Sequence, residues 1–194
     1  MRISKMVKRV MSLALAAAVV ATSVSAPAAK KANAASYKAY LCMATEKWTF
    51  RNQHDDSKFS NKLQNTTNKL AKKASKAKFT DVTMKGGKKA QKCTVKLTGL
   101  SKGVISKDGS FNALFVDTTI KGSQKNKVSV TNVTVKFDGK TVKTFKKAVL
   151  TPDPGDNSGF VQIQLINTWN DRVPSFKYSM PKKSIEVSYT IKFK

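Results

Sequence analysis

Two clusters of polar residues surround the two tryptophans of this chain. The first cluster reads Trp-Thr-Phe-Arg-Asn-Gln-His-Asp-Asp over residues 48–56, and the second reads Asn-Thr-Trp-Asn-Asp-Arg over residues 167–172. An aromatic ring beside amide, carboxylate and guanidinium groups suits sugar recognition, because the ring stacks on a pyranose while the polar groups bind its hydroxyls. In the alternative interpretation, Trp48 and Trp169 pack in the core or at its rim, and Arg51 and Asp55 form a salt bridge that holds the first loop.

The ionisable residues give little support to catalysis. His54 is the single histidine, so neither a histidine-rich zinc site nor a nucleophile and base pair is indicated, and a surface histidine is favoured. Glycoside hydrolysis usually needs two carboxylates held at a defined separation. The chain has two glutamates, Glu46 and Glu186, and Glu186 falls on the solvent-facing side of a predicted strand. Phosphate loops, CxxC pairs and hydrolase elbows do not occur. The sequence predicts a protein that is not an enzyme and uses no cofactor.

Residues 151–158, Thr-Pro-Asp-Pro-Gly-Asp-Asn-Ser, predict a turn-rich loop. Asp153, Asp156 and Asn157 are candidate calcium ligands because calcium prefers oxygen atoms. Their spacing does not match a standard calcium loop, so a structural turn is favoured and no metal site is predicted.

The two cysteines, Cys42 and Cys93, both fall in predicted strands. Cys93 has the same parity as Val95 and Leu97, which predicts that it points into the core. A disulfide would close a loop of about 50 residues and stabilise the fold by roughly 4 kcal/mol. Two buried free thiols are an equally good interpretation.

Basic residues greatly outnumber acidic ones: 37 Lys and Arg against 11 Asp and Glu give a net charge of +26. The densest basic stretch is Lys-Leu-Ala-Lys-Lys-Ala-Ser-Lys-Ala-Lys over 69–78, within a long irregular segment, 46–78, in which we expect a short helix or a wrapping segment. This stretch is either a solvated face or the centre of an anion-binding surface. In the second interpretation the surface comprises Lys69, Lys72, Lys73, Lys76, Lys78, Lys85, Lys88 and Lys89.

The first residues have the three parts of a secretory signal peptide: a basic start, an apolar run over 10–21, and small residues after it. The apolar run is about 12 residues, shorter than the roughly 18 of a membrane-spanning helix. We expect cleavage after Ala32-Asn33-Ala34, so that residues 1–34 are the signal peptide and 35–194 a single domain. Removing 1–34 takes away six basic residues and no acidic ones, which lowers the net charge from +26 to +20.

After position 35 the apolar residues follow a period of two, as in strands with one buried face. The slip of parity at Thr131-Asn132 predicts a β-bulge or a change of sheet, and Asp138-Gly139 predicts a two-residue hairpin. The pattern predicts an all-β fold, an antiparallel β-sandwich that is jelly-roll-like, with about eight strands and one long basic loop. The predicted strands cover 37–44, 79–84, 90–98, 111–118, 128–137, 140–147, 160–167 and 185–193.

Three stretches, 37–56, 128–142 and 161–171, resemble those of a known family in their order and spacing. The motifs are an aromatic-rich first strand and loop, an Asp-Gly hairpin and an Asn-x-Trp near the end. The chain resembles a secreted Gram-positive β-sandwich domain that looks like a carbohydrate-binding module. The resemblance implies a non-catalytic domain with ligand contacts at Trp48, Arg51, Asn167, Trp169 and Asn170. The lysine content and the basic stretch 69–78 depart from that family.

These observations predict a secreted binding module that charge retains at the cell wall. Its expected partner is a glycan or an anionic cell-wall polymer, held through the aromatic clusters and attracted by the lysine-rich surface. Nucleic acid would bind non-specifically at low salt, because any strongly basic domain releases counterions from it. The alternatives are a cationic protein that binds extracellular nucleic acid or an acidic membrane surface, and a purely structural or interaction domain.

Overall fold

The computed structural model describes residues 35–50, 64–65, 76–100, 105–107, 109–152 and 159–194, with the backbone alone at 48–50 and 64–65. Ala34–Lys194 forms one compact unit. No helix among the described residues is long and apolar enough to cross a membrane. The proposed signal peptide, residues 1–34, lies outside the described residues and stays a prediction.

The described part of the chain forms two antiparallel sheets, which confirms the all-β sandwich. The seven-stranded sheet has the order β10-β11-β7-β1-β2-β3, with β5 paired to the other part of β1, and the five-stranded sheet has the order β4-β6-β12-β8-β9. Strands that follow one another along the chain often lie in different sheets. The strands are β1 (Ser36–Thr45), β2 (Trp48–Phe50), β3 (Gln64–Asn65), β4 (Lys78–Thr80), β5 (Val82–Lys85), β6 (Gln91–Thr98), β7 (Phe111–Lys121), β8 (Val128–Phe137), β9 (Lys140–Lys147), β10 (Val149–Thr151), β11 (Phe160–Asn167) and β12 (Ile185–Phe193).

Period-two alternation in the sequence produces the core between the sheets. In β12, Ile185, Val187, Tyr189 and Ile191 are buried, whereas the residues between them are partly exposed. Strands of the other sheet contribute residues such as Leu41 from β1, and all of these belong to one hydrophobic cluster. Successive side chains of a strand point to opposite faces of the sheet. The residues that alternate with these core residues therefore point away from the core.

The slip of parity in β8 is a β-bulge, as predicted. Asn132 has a φ of 52°, in the left-handed region that asparagine tolerates better than most residues. Across the ladder with β12, Ser188 pairs with Thr134 and Thr190 with Thr131, so two β8 residues lie opposite Tyr189 alone. The extra residue lets Val130 and Val133, three positions apart, both be buried.

The hairpin between β8 and β9 is also confirmed. Asp138 and Gly139 have φ values of 52° and 82°, the positive values that a type I′ turn requires. The Asp138 carboxylate accepts hydrogen bonds from the backbone N–H groups of Lys182, Lys183 and Ser184, at 2.9, 2.7 and 2.9 Å. One side chain thus joins the hairpin to the segment that enters β12.

The strand predicted over 79–84 is divided in the structure. Phe79 lies in β4 of the five-stranded sheet and Val82 in β5 of the seven-stranded sheet, with Asp81 between them. Both side chains pack against the core although they are three positions apart, a spacing that one regular strand cannot provide. The chain therefore changes sheet at Asp81.

The long segment 46–78 contains two short strands, β2 and β3, that the sequence analysis missed. Residues 51–63 and 66–75 of this segment lie outside the described residues, and so does the short helix expected there. The described helical segments are two 3-10 turns, Ile105–Lys107 and Gly122–Lys127.

Candidate ligand-binding site

Trp169 lies on the turn that follows β11 and is 73% exposed, unlike every other large hydrophobic side chain whose burial the structure describes. Packing in the core is therefore wrong for this tryptophan. The exposed ring presents a large aromatic surface that is accessible to a ligand.

Asparagine side chains hold the turn of Trp169 in place. The Oδ1 atom of Asn167 accepts a hydrogen bond from the Trp169 backbone N–H at 3.0 Å, and the Oδ1 of Asn170 accepts one from the Arg172 backbone N–H at 3.1 Å. Both are Asx turns, in which the side chain replaces a backbone carbonyl. The oxygen atoms of the two predicted ligand-binding asparagines therefore position the loop.

A chain of polar side chains anchors Asn167 to the outer face of the seven-stranded sheet. The Nδ2 of Asn167 donates to the Oε1 of Gln164 at 3.0 Å, and the Nε2 of Gln164 donates to Gln162 at 2.8 Å and to Thr151 at 3.1 Å. Gln162, Gln164 and Thr151 are buried. Buried amides with fixed partners hold their rotamers, so this network fixes the base of the loop. The sequence analysis missed it, although glutamines alternating with apolar residues over 161–165 were a visible signal.

Residues of this loop line two cavities. One, of about 550 Å³, is lined by Phe111, Ile166 and Pro174 together with Phe176 and Tyr178. A second, of about 580 Å³, is lined by Asn170, Asp171 and part of the same loop. Asn167, Thr168, Val173, Pro174 and Ser175 line both cavities. Trp169 directly follows Thr168, which lines both cavities, so the exposed ring belongs to a residue next to both of them in the sequence.

Aromatic packing stiffens the wall of the first cavity. The Tyr178 ring lies 5.3 Å from that of Phe176, 5.5 Å from that of Phe137 and 5.8 Å from that of Phe111, measured between centroids. The Tyr178 hydroxyl accepts a hydrogen bond from the backbone N–H of Phe111 at 2.9 Å. Partial burial raises the pKa of Tyr178, and that hydrogen bond opposes the rise. The tyrosine therefore stays neutral at physiological pH.

The backbone places the two tryptophan clusters at the same end of the seven-stranded sheet. Asn167 of β11 pairs with Ala113 of β7, Ala113 with Ala44 of β1, and Ala44 with Thr49 of β2. Asn167 and Thr49 thus lie in one row, three strand spacings or about 14 Å apart. Trp48 and Trp169 are each within two residues of this row in the sequence. The structure describes only the backbone of Trp48, and Arg51 lies outside the described residues.

The predicted lysine surface is described in part. Lys76, Lys78, Lys85, Lys88 and Lys89 are exposed, whereas Lys69, Lys72 and Lys73 lie outside the described residues.

A second basic region, which the sequence analysis did not single out, lies on the five-stranded sheet. There Glu186 forms ion pairs with Lys96, at 2.7 Å, and with Lys136, at 3.5 Å. The hydrogen bond from Lys96 lowers the pKa of Glu186, and the charges of both lysines reinforce that effect against the opposing effect of burial.

Neither Cys42 nor Cys93 forms a disulfide and both side chains are buried, which favours the thiol interpretation over the disulfide. Cys93 packs with Val95 and Leu97 in the core between the sheets, as predicted. Cys42 belongs instead to a separate cluster with Tyr40 and Phe115, on the other face of β1. Because Leu41 and Cys42 point to opposite faces of their strand, Cys42 points away from the core that Cys93 lines.

The described residues include no cluster of three or more His, Cys, Asp or Glu side chains that could hold a metal ion. The calcium candidates Asp153, Asp156 and Asn157 lie outside the described residues, as does His54.

Comparison of the chain with models of protein families, with curated proteins and with solved structures gives no match. The resemblance to a carbohydrate-binding module thus stays a hypothesis that depends on the residues described above.

Proposed function

We propose that this protein is a secreted, non-catalytic module that binds carbohydrate or an anionic cell-wall polymer. The observation that carries the proposal is the exposed indole ring of Trp169, presented on a loop that Asn167 and Asn170 hold in shape. An aromatic ring exposed to solvent beside polar groups and shallow cavities can stack on a sugar without first being released from a core.

The basic surface supports the polymer part of the proposal. Exposed lysines on two separate regions of the domain would raise the local concentration of any polyanion near the protein. Long-range attraction of this kind falls with ionic strength, because the Debye length is about 10 Å at 0.1 M salt. The proposal therefore predicts two separable contributions: a salt-sensitive one from the lysines and a salt-insensitive one from the Trp169 loop.

The test is retention on purified peptidoglycan and on immobilised neutral polysaccharides, measured for the wild-type protein and for Trp169→Ala and Trp169→Phe. We expect Trp169→Ala to weaken binding of at least one of these glycans by tenfold or more, equivalent to about 1.4 kcal/mol. Trp169→Phe keeps a ring and should lose less. If Trp169→Ala bound every glycan as the wild type does, at both low and high salt, sugar recognition by this loop would be disproved.

A further inference from the structure

The outer side of the five-stranded sheet carries its polar side chains in rows that cross four strands. The strand pairings define three such rows, which together we name the hydroxyl–lysine face. The rows are Lys92-Thr190-Thr131-Lys147, Thr94-Ser188-Thr134-Thr144 and Lys96-Glu186-Lys136-Thr141.

The direction of these side chains follows from the buried residues between them. In β6, Cys93, Val95 and Leu97 are buried, and in β12 the core residues Val187 and Tyr189 alternate with the row members. Side chains that alternate with core residues must point away from the core. The face is thus the solvent side of the sheet, and its members are partly or fully exposed.

The central row consists of hydroxyl groups. The Oγ1 of Thr94 and the Oγ of Ser188 are 3.0 Å apart, a hydrogen bond between neighbouring strands. Thr134 and Thr144 continue the row across β8 and β9. Each hydroxyl has one proton to donate and two lone pairs, so such a row can donate to phosphoryl oxygens lying along it.

Lysines occupy the rows on both sides of the hydroxyl row. Lys92 and Lys147 belong to one flanking row, and Lys96 and Lys136 belong to the other. The acidic member of the face is Glu186, whose carboxylate oxygens lie 2.7 and 3.5 Å from the ammonium groups of Lys96 and Lys136. One carboxylate shared by two lysines leaves the row positively charged and draws both ammonium groups toward a common position.

The spacing of the rows suits an extended ligand with repeated charges. Along β6 and β12 neighbouring rows are two residues apart, about 6.8 Å, and the four strands span about 14 Å. A single small anion would contact only part of this flat array. A polymer with a charge in every repeat unit can contact both lysine rows at once, and several weak contacts on one chain add up to high avidity.

The basic region extends past the first row. A cavity of about 440 Å³ at that end of the sheet is lined by Lys125, Lys147 and Lys194, together with Ser129 of β8. Lys147 therefore belongs to both the face and the cavity. An extended anion leaving the face at this end would pass directly into another group of lysines.

The chemistry of the face favours a polymer without bases. None of the twelve residues is aromatic, whereas proteins that bind single-stranded nucleic acid combine a basic groove with aromatic rings on which bases stack. Hydroxyls and ammonium groups instead match phosphate and polyol oxygens.

From this arrangement we propose that the hydroxyl–lysine face binds a phosphodiester-linked polyol or sugar polymer. The proposal rests on the proposed function in that it takes the protein to be a binding module, but it uses a surface separate from the Trp169 loop.

The charge test compares two variants with the same loss of net charge. Lys92→Gln/Lys96→Gln/Lys136→Gln/Glu186→Gln alters the face, and Lys38→Gln/Lys107→Gln alters two exposed lysines that belong neither to the face nor to the predicted lysine surface. The probe is poly(glycerol phosphate) of defined length, titrated by calorimetry between about 50 and 200 mM salt. We expect the face variant to lose tenfold or more in affinity and its salt slope to fall by about two. The control should lose less than threefold. Equal losses in the two variants would overturn the proposal, because binding would then depend on net charge alone.

The hydroxyl row is tested without any change of charge. Thr94→Val/Thr134→Val keeps β-branched side chains at partly exposed strand positions, so the variant should fold like the wild type by circular dichroism. We expect a three- to tenfold loss of affinity for poly(glycerol phosphate). Unchanged affinity would exclude direct contact by these hydroxyls and overturn the proposal.

Two further binding measurements distinguish this proposal from binding of single-stranded nucleic acid and from binding at the Trp169 loop. An oligo(dT) of equal charge should bind more weakly than poly(glycerol phosphate), and tighter binding would overturn the proposal in favour of single-stranded nucleic acid. Trp169→Ala should keep its affinity for poly(glycerol phosphate). If Trp169→Ala abolished that binding while the face variant kept it, the face would be excluded but the Trp169 loop would remain a binding site.

Discussion

The Oδ1 atom of Asn167 lies 3.0 Å from the backbone nitrogen of Trp169 and accepts its hydrogen bond. Because the Nδ2 of the same asparagine donates to Gln164, one side chain couples the exposed indole to a buried polar network. The backbone position of Trp169 therefore depends on Asn167, whose side-chain oxygen binds the loop and whose side-chain nitrogen binds Gln164 of β11.

Asn167→Ala should weaken glycan binding although Trp169 is unchanged. The substitution removes both hydrogen bonds and leaves the buried Gln164 with one partner fewer, which should lower the free energy of unfolding by about 1–2 kcal/mol. Urea denaturation measures the stability, and retention on the glycans that bind the wild type measures the effect on the loop. Asn126→Ala, at an exposed position in the 3-10 turn Gly122–Lys127, is the control. Wild-type binding by a destabilised Asn167→Ala protein would show that loop order is unimportant.

Asp138→Asn should destabilise the protein at neutral pH but not in acid. Burial acts to raise the pKa of Asp138, but hydrogen bonds from the backbone N–H groups of Lys182, Ser184 and Lys183, with the charge of Lys183, lower it below its ordinary value. A carboxylate with a lowered pKa stabilises the fold above its unfolded value of about 3.9, and this stabilisation is lost as the pH falls through the folded pKa.

Asparagine suits this comparison because Asn-Gly also favours a type I′ turn, so the substitution changes the carboxylate and keeps the hairpin. We expect a loss of about 1 kcal/mol at pH 7 that shrinks as the pH falls through the folded pKa of Asp138, measured by urea denaturation at a series of pH values from neutral to acid. A difference between the two proteins that stayed constant with pH would contradict the role assigned to the carboxylate.

Cys42 and Cys93 should remain reduced thiols in the folded protein. They are buried on opposite sides of the seven-stranded sheet, and burial raises the pKa of the Cys93 thiol against an opposing effect of Tyr189. Alkylation without reductant should therefore modify both cysteines in denaturant and neither in the native protein, as mass spectrometry would show. Detection of a disulfide under these conditions would mean that the two strands are placed wrongly.

Asn132→Val should destabilise the β8 bulge, whereas Asn132→Gly should not. A β-branched residue is strained at a φ of 52°, at a cost of about 1–2 kcal/mol, while glycine adopts this conformation freely. Thermal unfolding of the two variants gives the comparison. If valine were as stable as glycine here, the bulge would have to lie at another position.

The regular strands could be predicted because they depend on local patterns. Alternation over 185–193 and 91–98 fixed which residues of β12 and β6 face the core, and the positive φ values of Asp138 and Gly139 follow from their residue types. The short strands β2, β3 and β10 are too brief for any period to show. The division of 79–84 between two sheets could not be foreseen either, since a break in alternation predicts a bulge as readily as a change of sheet.

The sequence by itself determined that the chain is a β-sandwich of high positive charge with polar tryptophan clusters, because period, turn chemistry and charge are properties of neighbouring residues. Tertiary structure alone decided that Trp169 is exposed, that Cys42 and Cys93 face different sides of a sheet, and that hydroxyls and lysines form rows across four strands. Those relationships depend on the register between strands distant in the chain, such as Ser188 with Thr94 and Thr134. Register between such strands is specified by which faces the core buries, and no tight turn joins them to set it locally.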